Sequence, residues 1–168
     1  MDVGAIQGQQ GTHLRVVSIY RPCSGNAGVD TVAAQHRRYF QTINDPTRAF
    51  LEDLESELWT CLALGDHVIV GGDVNQNVLH PDIRDMFERN GIHNVLDTKH
   101  QLDHAPATFM FGQDVIDGLW ATHNIDVKQC RYFAPGEMSP GNHSLLWMDI
   151  SYHSVLGHSP ILPQTFKA

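Results

Sequence analysis

The amino-acid sequence predicts an α/β domain. Three observations carry that reading. A β-branched run, LRVVSIY, occupies residues 14–20. A long apolar stripe at helical spacing follows Asp45-Pro46. From residue 92 onward, short apolar runs alternate with turn residues. The order strand, helices, strand, helix and then several strands is that of an α/β chain with late antiparallel pieces.

Each element follows from its own residues. Residues 14–20 have the β-branched and aromatic content and the length of a buried strand. The following RPCSGNAG reads as a loop. Residues 30–43 are helix-compatible, with Val32, Gln35, Tyr39 and Phe40 near helical spacing. Asp45 suits an N-cap and Pro46 the first helical position. Phe50, Leu51, Leu54, Leu58, Cys61 and Leu62 then form one helical stripe, and Gly65 is the expected stop. HVIVGGD at 67–73 is short and apolar, as an interior strand would be. A second helix is predicted from residue 81 to 90, with Ile83, Met86 and Phe87 on one side and Gly91 after it. Strands are predicted at 92–97, 107–111, 115–122, near 125–134 and at 144–152. The polar residues 1–13 are expected to be poorly ordered, residues 14–152 to form the domain, and residues 153–168, with Pro160 and Pro163, to be a surface or disordered tail.

The composition narrows the class. The 168 residues are 42% hydrophobic and 18% charged, enough for one packed core and unlike a disordered or collagen-like chain. The formal net charge of -8 is wrong for a protein that coats nucleic acid through phosphate neutralisation. It is compatible with an enzyme whose carboxylates hold a divalent cation against a phosphate. Cys23, Cys61 and Cys130 are far apart and odd in number, which excludes a disulfide framework and a zinc knuckle. The N-terminus has no signal-peptide pattern, and no apolar run is long enough to span a bilayer, so an intracellular protein with no membrane contact is expected.

Four short segments carry residues able to do chemistry. In Gly71-Gly72-Asp73-Val74-Asn75, at the end of a predicted interior strand, a carboxylate and an amide two residues apart point to one side in extended backbone. The same residue types also make an ordinary turn. Asp117, in Ile116-Asp117-Gly118-Leu119-Trp120, is an acid inside an apolar strand, which needs a partner if buried or faces water if the strand lies at an edge. His143, in Gly141-Asn142-His143-Ser144, precedes an apolar strand. It is a phosphate-directed donor if a carboxylate holds its other ring nitrogen, or simply polar lead-in to the strand. Tyr20, in Tyr20-Arg21-Pro22, ends the first strand, where a phenol either donates to a phosphate or packs its ring and wets its hydroxyl. His100 and His104 are four residues apart, but without a third ligand at a recognised spacing they make no zinc site.

Taken in order, Ile19-Tyr20-Arg21-Pro22, a long helix, GGDVN, an Ala-Thr-Phe strand, IDGLW, and NHS before an apolar strand resemble the endonuclease/exonuclease/phosphatase superfamily, over residues 14–152. The compact spacing is most similar to its retroelement-type members. The resemblance implies a two-sheet α/β sandwich with a site at one end, and a metal-dependent phosphoester hydrolase using Mg²⁺ or Mn²⁺ on nucleic acid or another phosphodiester. It assigns phosphate contact to Tyr20 and His143 and water activation to Asp73, with Asn75 beside it. It gives Asp117 the orienting of His143. Asp73, Asn75 and Asn142 are the metal-side residues, and Thr108 is a threonine common before the Ile-Asp strand. Two departures stand out. Nothing before Leu14 supplies the asparagine and metal-binding glutamate of the family's N-terminal portion. Gly-Asn-His replaces Ser-Asp-His, so Asn142 offers a neutral oxygen where the family has an acid. The expectation is therefore a sandwich with its N-terminal portion missing, open on one face unless that portion or a partner covers it, with weakened cation affinity. The alternative is a catalytically inactive remnant or a phosphate- or nucleic-acid-binding module.

Overall fold

A computed structural model describes residues 1–23, 34–35, 38, 45–138 and 140–157. The helix expected over 30–43 lies outside the described residues, apart from three helical positions. The elements are β1 (Asp2–Gln7), β2 (His13–Tyr20), α1 (Pro46–Ala63), β3 (His67–Asp73), α2 (Pro81–Arg89), β4 (Ile92–Asn94), α3 (Val95–His100), β5 (Asp117–Thr122), β6 (Val127–Phe133), β7 (Leu145–Ile150) and α4 (Tyr152–Leu156). Five strands form one sheet in the order β1-β2-β3-β5-β4, and β6 and β7 form a second. This is the two-sheet α/β sandwich that the motif order implies. Among the described residues β2 and β3 run parallel and the other pairs are antiparallel. No helix among the described residues is long and apolar enough to cross a membrane.

Alternation along the strands sorts the core into two layers. Val17, Val68, Val70 and Trp120 share the face that α1 and α2 cover. Leu54, Leu58 and Cys61 of α1 and Ile83, Met86 and Phe87 of α2 are buried on that side. Trp120 stacks on Phe87, with ring centroids 4.5 Å apart. The opposite face carries Ile69 and Ala121, and the second sheet adds Cys130 and Met148 to the same continuous core.

The helix signals in the sequence act as expected. The Asp45 side chain accepts from the Thr47 and Arg48 N–H groups, and Gly65 has a φ of +77° just past the end of α1. Four expectations are corrected. Residues 1–13 are not poorly ordered throughout, because Asp2–Gln7 hydrogen-bond as an edge strand to β2. Their side chains are all exposed, so no burial pattern announced them. The strand expected over 92–97 stops at Asn94, whose Oδ1 accepts from the Leu96 and Asp97 N–H groups and starts α3. The strand expected over 107–111 reduces to one bridge, Phe109 to His143, because Thr108 to Asp114 closes as a turn. The tail begins as helix α4, with Ser151 as cap and Val155 and Leu156 buried.

The cover is incomplete on one side of the five-stranded sheet. Ile6 and Val16 lie on the same face as Tyr20 and Asp73, by the registers of β1, β2 and β3. They are 49% and 41% exposed.

Candidate active site

Strand pairing brings the candidate residues together. Tyr20 is the register partner of Asp73 across the parallel β2–β3 pair. Asp73 is in turn the partner of Asp117 across the antiparallel β3–β5 pair. The three therefore project from one end of one sheet, on one face. β5 is interior, between β3 and β4, so Asp117 is a buried acid and not an edge residue facing water.

The partner that a buried acid needs is His143. Its Nδ1 lies 3.0 Å from Asp117 Oδ2 and 3.2 Å from Oδ1. A proton on Nδ1 would bridge to the carboxylate and leave Nε2 on the far side of the ring. The His143 ring packs at 4.8 Å against Phe109. Buried Thr108 sets the strand beneath, its Oγ1 accepting from the Ile116 and Asp117 N–H groups at 3.0 Å each.

Asp73 sits beside this pair. Its Oδ1 accepts from the Asn75 N–H at 2.7 Å. Asn75 has a φ of +46°, a left-handed turn in which asparagine is one of the tolerated residues. Its amide nitrogen donates to the Arg21 carbonyl at 2.6 Å, and its Oδ1 lies 3.1 Å from the Cys23 thiol. The Asn75 side chain also hydrogen-bonds the Tyr20 phenol, which partial cover pushes up in pKa and this bond pulls back. Burial raises the Asp73 carboxyl above its usual range. The Asn75 N–H opposes that, the Asp117 charge adds to it and His143 opposes it.

The glycines of the two motifs are packing requirements. Gly72 and Gly118 face each other across β3 and β5. A Cβ at Gly72 would come within 1.9 Å of the Ile19 carbonyl oxygen, and one at Gly118 within 2.2 Å of the Trp120 ring. Close strand approach and the buried indole therefore exclude any side chain at either position.

One ligand atom each from Asp73, Asp117 and His143 lies within 4.8 Å of the others. Two carboxylates and an imidazole at that spacing suit a divalent cation. Like charges opposed across a ladder are unfavourable by themselves, and a cation relieves that. Asn142 is exposed, and its main-chain carbonyl accepts from the Met110 N–H at 2.8 Å. His100 is drawn away from any metal role by its ring contact with the Cys130 carbonyl at 2.8 Å. Sequence reading missed two participants, Phe109 against His143 and the Arg21 contacts around Asp73. The arginine stood in Tyr20-Arg21-Pro22, but its burial has no signature in so short a motif.

The fold is an α/β sandwich of the endonuclease/exonuclease/phosphatase type. A solved structure of this architecture is the catalytic domain of human Nocturnin with a bound sulfate anion. It aligns with a TM-score of 0.56 and 15% identity over 89% of this chain and 51% of that one. The chain thus spans about half the length of that domain. No protein-family model and no curated protein sequence matches the chain.

Proposed function

We propose that this chain carries the reaction centre of a divalent-cation-dependent phosphoester hydrolase of the endonuclease/exonuclease/phosphatase superfamily, acting on nucleic-acid phosphodiesters. The observation that carries the reading is the Asp73–Asp117–His143 cluster at one end of a sandwich of that type. The sulfate on the Nocturnin domain is a tetrahedral oxyanion like a phosphate ester, which supports the same ligand class here.

The roles follow from position. Asp73 and Asp117 would hold a magnesium or manganese ion, which when bound would supply Lewis-acid charge stabilisation to a phosphate ester. Asp73 holds and orients water for in-line attack, its carboxylate fixed by the Asn75 N–H. Asp117 fixes the His143 ring through Nδ1, so that Nε2 is the atom offered to the oxyanion that develops. The exposed Tyr20 hydroxyl is a further donor to a phosphate oxygen, and Asn75 positions it. Asn142, in the segment adjoining His143, would offer a neutral oxygen.

The test is hydrolysis of a DNA oligonucleotide and of bis-p-nitrophenyl phosphate with added Mg²⁺ or Mn²⁺. Chelation should abolish turnover, and Asp73→Ala should reduce it by at least about a hundredfold, the size of one general-base contribution. Turnover indifferent to chelator, or equal in Asp73→Ala, would refute the hydrolase. The second reading, a remnant that binds phosphate without cleaving it, is favoured by the neutral side chain at Asn142. Retained oligonucleotide binding with no turnover in any metal is its signature.

A further inference from the structure

Where β2 ends, Arg21 touches three consecutive residues of the segment bearing the candidate chemistry. Its main-chain N–H donates to the Asp73 carbonyl at 2.8 Å. Its Nη1 donates to the Val74 carbonyl at 3.1 Å. Its own carbonyl accepts from the Asn75 side-chain amide at 2.6 Å. Through Nε it also reaches the Thr47 carbonyl, in the first turn of α1, at 3.4 Å.

The chemistry of this contact set is unusual. Arg21 is only 7% exposed. A buried cation is costly unless it is paired, and no carboxylate among the described residues lies within ion-pair distance of this guanidinium. Burial accordingly pulls its pKa down, against the more distant charges of Asp45 and Asp82. A methionine or leucine would fill similar volume without that desolvation penalty. What the guanidinium adds is direction, since its planar fork holds a carbonyl at a fixed angle. The carbonyl it holds belongs to Val74, the one residue between Asp73 and Asn75. Fixing that peptide fixes the left-handed Asn75 and, through the Asn75 N–H, the Asp73 carboxylate.

We propose that Arg21 is a positioning residue, whose buried guanidinium locks the Asp73-Val74-Asn75 segment so that Asp73 faces Asp117 and Asn75 faces Tyr20. The kinetic half of its test rests on the hydrolase reading above; the structural half does not. Wild type, Arg21→Met and Arg21→Lys are compared for hydrolysis of bis-p-nitrophenyl phosphate with Mn²⁺, and for amide hydrogen exchange by NMR. Arg21→Met should lower kcat by about a hundredfold with KM changed less than about threefold, the pattern of misplaced reacting groups. Arg21→Lys, which keeps the charge and loses the fork, should recover part of kcat. The Val74 and Asn75 amides should lose at least about tenfold in protection in Arg21→Met, while Val68 and Val70 in the body of β3 keep theirs. Should Arg21→Met not fold, Arg21→Lys carries the same comparison against wild type. A wild type without turnover would remove the hydrolase reading and leave the exchange experiment to decide on Arg21. Unchanged protection at Val74 and Asn75, a loss spread evenly along β3, or an undiminished kcat in an active enzyme would overturn the proposal.

Discussion

Asp73 and Asp117 are opposed across a strand pair, and His143 is the partly compensating group that faces Asp73. Residue 142 adjoins His143 in the chain, and an acid there would add charge for a cation. Asn142→Asp should tighten Mn²⁺ binding by at least about tenfold, roughly 1.4 kcal/mol, if the side chain reaches the cluster. Titration calorimetry reads this directly, and an unaltered affinity would detach residue 142 from the site. At this scale the sequence was informative where candidate groups sit at strand ends beside glycines, as at Asp73 and Asp117, or just before an apolar strand, as at His143. It was silent on groups that act through tertiary contact. Nothing local says that the ring of Phe109 backs His143, or that Cys23 and Arg21 both address Asn75, more than fifty residues away in sequence by the separation of each pair.

Elements were legible in proportion to their local chemistry. The start of α1 is written by Asp45-Pro46, and the cap is formed by three bonds to Asp45 Oδ1, from the Thr47 N–H, the Thr47 hydroxyl and the Arg48 N–H. Asp45→Ala should cost about 1 kcal/mol, the usual value of an N-cap. These bonds, the Thr47 hydroxyl first, hold the Asp45 carboxyl below its ordinary range. A depressed folded pKa contributes stability above the unfolded carboxylate value, and that stability is lost as pH falls through the folded value. The wild type and Asp45→Ala urea midpoints should therefore differ at pH 7 and draw together in acid. A difference that persists in acid would show that the cap does not act through its charge. β1 and the 108–114 turn were illegible for the opposite reason. β1 buries nothing, and the Ala-Thr-Phe run, though apolar, is bent by the Thr108-to-Asp114 bond into a turn that no strand propensity forecasts.

The molecule as a whole is organised around Trp120. Its ring is 1% exposed, stacks on Phe87 and lies over Gly118. Trp120→Ala should cost about 3–5 kcal/mol, as truncations of large buried aromatics do. Against a total of roughly 5–15 kcal/mol, that places the chain near its unfolding threshold. Urea denaturation measures the effect, and a loss under about 1 kcal/mol would mean the ring is not central to the core. The two-sheet class was implied by the family resemblance that the order of motifs carries. Ile6 and Val16 are exposed apolar residues on the same face of the sheet as Tyr20 and Asp73.

The parallel pairing of β2 with β3 has a consequence of its own. Tyr20 and Asp73 become neighbours only after the chain between them has closed as one long excursion through α1. Such distant pairings form late, since their loop entropy is spent before any contact repays it. His143 comes from still further along. A nascent chain leaving the ribosome thus has no assembled carboxylate–imidazole pair until residue 143 has emerged and β7 has docked.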